Sequence, residues 1–128
     1  MISNERSHSP LILAVDNAVM FLNTLKRILE DEPYELRCES TAAEALGFLE
    51  AASPDLILLD IEMPDMDGYE LARAIKRSGQ TAPILFISAN SDKEYLDKAL
   101  EAGAVGLLLK PLRRNQLMEK LKEYIQAT

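Results

Sequence analysis

The chain has 128 residues, of which 48% are hydrophobic and 27% charged, and its formal net charge is -7. This length and balance are typical of one soluble globular domain with its own hydrophobic core. The negative charge disfavours direct binding to nucleic acid, because the phosphates would repel it. A single cysteine, Cys38, excludes an internal disulfide framework and a cysteine-based zinc site.

The first ten residues are polar, and we expect residues 1–10 to form a flexible leader in front of a domain that spans residues 11–128. The leader lacks the apolar segment of a signal peptide. The apolar runs elsewhere are too short to span a bilayer, so we expect no insertion into membranes. Together with the sparse use of cysteine, this indicates a cytoplasmic protein.

Five short apolar runs predict β-strands. The first is apolar on both faces, which indicates a strand buried on both sides, as in a parallel sheet. The second alternates only weakly between apolar and polar residues, whereas the third and fourth are apolar throughout. The five predicted strands cover residues 11–15, 34–39, 56–59, 84–87 and 105–109.

Each predicted strand is followed by a segment whose apolar residues recur at helical spacing. The first of these helices starts near Ala18 and ends before Pro33, since proline breaks a helix. The second begins with Thr41 and Glu44 at the spacing of a capping box. The third ends near Gly79.

The fourth helical segment opens on a second capping-box pattern at residues 91–94, and Gly103 closes it. We expect this helix to bury Leu96, Ala99 and Leu100. A fifth amphipathic segment follows the last strand. The alternation of five strands with five helices predicts an α/β fold, in which helices cover both faces of a parallel sheet.

Four of the predicted strands end on residues that can take part in chemistry. In open parallel sheets, binding sites form outside the carboxyl ends of the strands. Taken alone, an aspartate there is often a helix cap and a serine often a turn residue. Four such ends at one edge of a sheet indicate a functional site. The residues are Asp16 with Asn17, Asp60, Ser88 and Lys110.

These residue types fit phosphoryl transfer. Asp16 and Asp60 would repel each other unless a cation relieved the repulsion, and Mg²⁺ commonly binds one or two carboxylates together with phosphate oxygens. Lys110 adds a positive charge and Ser88 a hydroxyl donor. A carboxylate would then be the nucleophile. No glycine lies in the first strand-to-helix turn, which disfavours the usual nucleotide-binding loops.

Residues 55–68, with Asp60 at their centre and Met63-Pro64 and Asp67-Gly68 after it, closely resemble the phosphorylation-site segment of response-regulator receiver domains. The stretch from residue 102 to Lys110-Pro111 is similar to the last strand of the same family. The resemblance implies a flavodoxin-like (βα)5 fold with strand order 2-1-3-4-5. It also implies a cis peptide between Lys110 and Pro111.

The resemblance further implies a role for each residue of the site. Asp60 would accept a phosphoryl group from a histidine kinase or a histidine phosphotransfer protein, with Mg²⁺ as the cofactor. Ser88 would be the switch hydroxyl that follows the phosphoryl group, and Lys110 would be the invariant lysine of the family. The implied metal ligands are Asp16, Asn17, Asp60 and the backbone carbonyl of Glu62.

The resemblance implies a signalling switch rather than an enzyme, with self-phosphorylation and slow autodephosphorylation as its only activities. Such a domain controls an output domain or an effector protein. It often forms a homodimer after phosphorylation, through the fourth helix, the last strand and the final helix.

Two positions depart from the family pattern. Asn17 replaces an acidic residue that is usual there, and Leu107 replaces a frequent aromatic residue. Two other functions therefore stay open. One is a pseudo-receiver that binds partners without being phosphorylated. The other is a Mg²⁺-dependent phosphatase in which Asp60 is the nucleophile and Glu62 supplies a second carboxylate, although no segment is left to form a substrate cap.

Overall fold

The computed structural model describes residues 9–90 and 92–125. Strands and helices alternate along these residues. The strands are β1 (Leu11–Val15), β2 (Glu35–Glu39), β3 (Leu56–Asp60), β4 (Ile84–Ser88) and β5 (Gly106–Leu109). The helices are α1 (Val19–Leu29), α2 (Ala42–Leu49), α3 (Gly68–Arg77), α4 (Lys93–Glu101) and α5 (Arg114–Tyr124).

The strands form one parallel sheet in the order β2-β1-β3-β4-β5. The predicted flavodoxin-like fold and its strand order are therefore confirmed. The register places Asp60 beside Ile87 and Ser88 beside Leu109, so the carboxyl ends of β3, β4 and β5 lie next to one another.

Two apolar clusters hold the helices on opposite faces of the sheet. Alternate residues of the central strands point to opposite faces, as the strand period requires. Leu13 and Ile57 pack with α2, α3 and α4, whereas Ile12 and Leu56 pack with α1 and α5. Burial on both faces explains why β3 and β4 are apolar up to their last residues, Asp60 and Ser88.

The local signals at several helix ends act as the sequence predicts. The Thr41 side chain caps α2 by accepting a hydrogen bond from the Glu44 backbone N–H, 3.1 Å away. Gly103 ends α4 at φ +98°, a backbone conformation that glycine adopts readily. The second predicted capping box includes Ser91, which lies outside the described residues. Asp92 precedes α4, and its side chain makes no capping hydrogen bond.

The prediction that α4 buries Leu96 and Leu100 is wrong, because the two side chains are 38% and 49% exposed. Only Ala99, among the three residues expected to point inward, is buried. The inward stripe of α4 runs through Ala99 and the half-buried Tyr95 to Ala102. Small alanines therefore face the core, and the two leucines lie at the exposed flanks of the helix.

The Lys110–Pro111 peptide is cis, as predicted. Two strands begin one residue later than predicted, β2 at Glu35 and β5 at Gly106. Within residues 9–90 and 92–125, no helix has the length and apolar character needed to cross a membrane. The predicted leader lies mostly outside the described residues, which start at Ser9.

Candidate functional site

Asp60 is the last residue of the central strand β3, and the fold buries it. Burial of the carboxyl group is the main reason that the pKa of Asp60 rises to about 6, and the nearby charge of Asp16 raises it further. The positive charge of Lys110 and a hydrogen bond from the Glu62 backbone N–H act in the opposite direction. Asp60 is therefore a partly desolvated carboxylate held next to a second one.

Asp16 follows β1 and is 1% exposed. Its Oδ1 atom accepts a hydrogen bond from the Ala18 backbone N–H at 2.8 Å, which fixes the side chain in the turn before α1. Its Oδ2 atom forms an ion pair with Lys110 Nζ, 2.9 Å away. Within the described residues, this buried oxygen accepts no hydrogen bond. It thus keeps a lone pair for a cation.

Lys110 follows β5, and its backbone N–H donates to the Ser88 carbonyl oxygen at 2.8 Å. The ammonium nitrogen lies 4.0 Å from Asp60 Oδ1, in addition to its contact with Asp16. The ammonium nitrogen also lies over the Phe21 ring, 4.7 Å from the ring centroid. Lys110 therefore places its positive charge between two carboxylates.

Ser88 ends β4 and is buried. Its Oγ atom accepts a hydrogen bond from the Asn90 backbone N–H at 2.9 Å, so Ser88 does shape the turn after β4. Among the described residues, the Ser88 hydroxyl donates no hydrogen bond. The hydroxyl proton is therefore available to a ligand in the space above the strand ends.

These strand ends surround an open cleft of about 580 Å³, which we call the Asp60 cleft. Asp16 lies beneath the cleft and reaches it through Lys110. The structure therefore brings the predicted site residues to one place, with Asn17 and Glu62 exposed at the rim. The predicted residues that line the cleft are Asn17, Asp60, Glu62, Ser88 and Lys110.

The donor set suits a cation bound by few carboxylates. In the part of the chain that the structure describes, no three acidic, histidine or cysteine side chains are grouped to hold a metal. Asp16 and Asp60 supply two carboxylates, and the Asn17 amide and the Glu62 backbone carbonyl are neutral oxygen donors nearby. Mg²⁺ accepts such a set because it keeps several water ligands. The buried Asp16 Oδ2 atom, which lacks a hydrogen bond, supports the fit.

Gly68 has a role in the site beyond marking a loop. A Cβ atom there would lie 2.5 Å from the Asp60 carbonyl oxygen and 2.6 Å from that of Ile61. The Gly68 backbone N–H donates to the Ile61 carbonyl oxygen at 2.8 Å. Only glycine therefore fits where α3 starts against the end of β3.

Sequence reasoning missed several residues that surround the site. Met63, Asn90 and Tyr95 line the Asp60 cleft, and Phe21 contacts Lys110. Phe21 shows the helical spacing of a core residue, so its pattern carries no separate signal. Tyr95 and Asn90 lie outside the strand ends on which the site prediction depends.

The strand order and the cluster of Asp16, Asp60 and Lys110 at the carboxyl ends are those of an α/β signalling domain. The chain belongs to the response regulator receiver domain family, whose model matches residues 12–122. Receiver domains are the regulated modules of two-component systems and are not enzymes in the ordinary sense.

Relatives with known names are similar to this chain over most of its length. Chemotaxis protein CheY of Halobacterium salinarum is 32% identical over 117 residues, which cover 91% of this chain and 97% of that protein. The cyclic di-GMP phosphodiesterase response regulator RpfG of Xanthomonas campestris is 35% identical over 119 residues. This chain covers 90% of its own length in that match but only 32% of RpfG. It likewise spans 52% of the response regulator protein TodT of Pseudomonas putida.

Solved structures show the same fold. Chemotaxis protein CheY4 of Vibrio cholerae superposes with a TM-score of 0.87 at 28% identity, covering 92% of this chain and 100% of that one. A CheY-like receiver domain of Methanospirillum hungatei gives a TM-score of 0.83 at 34% identity, covering 91% of this chain and 93% of that one.

Proposed function

We propose that this receiver domain accepts a phosphoryl group on Asp60 from a histidine kinase or a histidine phosphotransfer protein, in a Mg²⁺-dependent reaction. The observation that carries the proposal is the convergence of Asp60, the buried Asp16 and Lys110 at one cleft. Each of these groups has a use in phosphoryl transfer and no evident use in packing.

The Asp60 carboxylate would be the nucleophile. One of its oxygens forms a bond to phosphorus while the bond from phosphorus to the donor imidazole nitrogen breaks, and the electron pair of that bond stays with the imidazole. In the metal-free site the pKa of Asp60 is about 6, so the carboxylate is mostly ionised at neutral pH. Bound Mg²⁺ would favour the ionised nucleophile further.

Lys110 and Ser88 would stabilise charge on the transferred group. The Lys110 ammonium already lies 4.0 Å from Asp60 Oδ1, so it can contact a phosphoryl oxygen after a small displacement. The Ser88 hydroxyl faces the same cleft and can donate to another oxygen. Groups positioned close to the reacting atoms before the reaction stabilise developing charge with little further rearrangement.

Asp16, Asp60, the Asn17 side-chain oxygen and the Glu62 backbone carbonyl would hold Mg²⁺. The ion would neutralise the two carboxylates and the phosphoryl oxygens. Asp16 contributes through its buried position, because the turn that holds it aims the Oδ2 atom toward Lys110 and the cleft.

Phosphorylation would control a partner or an attached output domain, and we expect the domain to act in the cytoplasm. Control of an attached output domain is supported by relatives such as RpfG and TodT, in which the matched region is one part of a longer protein. Leu96 and Leu100 on α4, Val105 just before β5 and Leu109 on β5 have exposed apolar side chains, which are available to a partner or a second copy.

Treatment with acetyl phosphate and Mg²⁺ tests the proposal. Intact-mass measurement should show one phosphoryl adduct that hydroxylamine removes, as expected for an acyl phosphate. Asp60→Asn should show none, whereas Asp97→Asn, at an exposed position on α4, should still gain one. An adduct on Asp60→Asn would refute the assignment. No adduct on the wild type would favour the pseudo-receiver, and rapid hydrolysis of unrelated phosphomonoesters would favour the phosphatase.

A further inference from the structure

The Lys110 ammonium is held by an aromatic ring as well as by carboxylates. Its nitrogen lies 2.9 Å from Asp16 Oδ2, 4.0 Å from Asp60 Oδ1 and 4.7 Å from the centroid of the Phe21 ring. We propose that Phe21 is a positioning residue, which holds the Lys110 ammonium over the Asp60 cleft for phosphoryl transfer. This inference rests on the function proposed above.

The Lys110 side chain is long and flexible, so its backbone hydrogen bond alone does not fix the position of the ammonium group. The backbone N–H donates to the Ser88 carbonyl, and the ammonium group forms an ion pair with Asp16 Oδ2 at 2.9 Å. A lysine side chain has a flexible four-carbon stem, and fixing it costs conformational entropy. The negative face of an aromatic ring attracts an ammonium group and restricts it without neutralising its charge.

Phe21 is itself well placed for this purpose. Its half-buried ring packs against the apolar cluster that α1 and α5 share, so the ring is supported from behind. Phe21 and Asp16 belong to the same β1–α1 unit, in which the bond from the Ala18 N–H to Asp16 Oδ1 fixes the turn. The ring and the carboxylate therefore hold the ammonium from a single rigid segment.

Phe21 does not line the Asp60 cleft. Any effect of its substitution on a phosphoryl mimic in the cleft must therefore pass through a neighbour, and Lys110 is the neighbour that reaches the cleft. Comparing Mg²⁺ affinity with affinity for the phosphoryl mimic distinguishes a positioning role of Phe21 from general damage to the site, because the two ligands respond to Lys110 in opposite ways. The ammonium attracts the mimic and repels the cation.

The test compares Phe21→Leu, which removes the π-face, with Phe21→Tyr, which keeps it. Phe48→Leu is a matched control, because it removes a similar cation–π contact away from the site. The guanidinium of Arg37 on β2 lies 4.7 Å from the centroid of the Phe48 ring on α2. Beryllofluoride binding at saturating Mg²⁺ and Mg²⁺ binding alone are both followed by amide NMR. Loss of one cation–π contact predicts about five-fold weaker beryllofluoride binding for Phe21→Leu. Phe21→Tyr and Phe48→Leu should stay near wild type.

Mg²⁺ alone should bind Phe21→Leu at least as tightly as the wild type, since a mobile Lys110 opposes the cation less. Equal beryllofluoride affinity in Phe21→Leu and the wild type would overturn the inference and leave the proposed function intact. So would equal losses in Phe21→Leu and Phe21→Tyr, or a matching loss of Mg²⁺ affinity. If the wild type binds no beryllofluoride, the proposed function and this inference both fail. Phe21→Met replaces Phe21→Leu in the comparison if the leucine variant does not fold.

Discussion

The carboxylate of Asp65 accepts a hydrogen bond from the backbone N–H of Ala42, 3.1 Å away, and its other oxygen accepts one from Ala43 at 3.1 Å. Asp65 lies in the loop after β3, whereas Ala42 begins α2. The first N–H groups of a helix have no partner within the helix, and they attract a negative charge. These hydrogen bonds hold the pKa of Asp65 below its ordinary value. The loop that follows Asp60 is therefore tied to α2.

Replacing Asp65 with alanine should loosen this connection. We expect Asp65→Ala to lower the thermal unfolding midpoint and to speed hydrogen exchange at the Ala42 and Ala43 amides. The Glu44 amide is the internal control, because Thr41 Oγ1 binds it independently at 3.1 Å. A carboxyl group with a lowered pKa stabilises the fold above its ordinary pKa, and that stability is lost as the pH falls through the lowered value. The difference between variant and wild type should therefore shrink in acid. Unchanged exchange at Ala42 and Ala43 would contradict the prediction.

The raised pKa of Asp60 predicts a pH-dependent cost to stability in metal-free protein. An aspartate titrates near 3.9 in the unfolded chain and, for Asp60, at about 6 in the fold. Between these values the folded state binds more protons, so stability falls as the pH rises through this window. The shift corresponds to about 2–3 kcal/mol above pH 6.

Asp60→Asn cannot ionise, so we expect it to gain stability relative to the wild type as the pH rises from about 4 to about 6. Urea unfolding in the presence of a chelator measures the difference. Asp31→Asn, at an exposed residue, controls for the loss of one negative charge. A difference between Asp60→Asn and the wild type that stays constant across this pH range would show that Asp60 is not destabilised by its surroundings.

The exposed leucines of α4 predict where activated copies associate. Leu100 on α4 is 49% exposed and Leu109 on β5 is 41% exposed, and the two elements are in contact. We expect beryllofluoride and Mg²⁺ to shift the protein from monomer toward dimer in sedimentation velocity, and Leu100→Lys to prevent the shift. Met20→Lys changes another exposed apolar residue, on α1, and should leave the dimer intact. If Met20→Lys prevents dimerisation and Leu100→Lys does not, the interface lies elsewhere.

The sequence predicted the sheet well because its strands are buried on both faces. Short apolar runs such as residues 84–87 are typical of strands buried on both faces. The alternation of strands with helices then restricts the order in which the strands can pair. The site was predictable for the same reason, since strands that end at one edge bring Asp16, Asp60 and Lys110 together. Their roles in phosphoryl transfer stay predictions.

Contacts between distant side chains were not predictable. Asp65 reaches Ala43 across 22 residues, and nothing in the local sequence distinguishes it from a loop aspartate. Leu96 and Leu100 show helical spacing as good as that of Ala99, yet the small side chain faces the sheet. Periodicity identifies an apolar stripe, but the fit between helix and sheet decides which edge of the stripe is buried.

Asn17 is exposed at the rim of the Asp60 cleft, where its side-chain oxygen can bind a cation but adds no negative charge. Ligand charge strongly influences affinity for hard cations, so phosphorylation should need more Mg²⁺ than it would with a second acidic residue here. Asn17→Asp should tighten Mg²⁺ binding on the order of ten-fold, since a unit charge a few ångströms away has a large effect on a divalent ion. The Mg²⁺ concentration for half-maximal phosphorylation by acetyl phosphate should fall in parallel.

Asn90→Asp is the matched control, because Asn90 lines the same cleft and its Oδ1 atom is already occupied by the Asp92 backbone N–H at 2.9 Å. It adds the same charge without adding a ligand, so its effect on Mg²⁺ should be smaller. The competing view is that Asn17 is only a cap for the first helix, since asparagine and aspartate cap about equally well. The structure places the N-cap of α1 at Ala18 instead, with no side-chain capping bond. Titration of the three proteins decides between the two. Equal Mg²⁺ midpoints for the wild type and Asn17→Asp, or equal gains from both substitutions, would mean that residue 17 does not bind the metal.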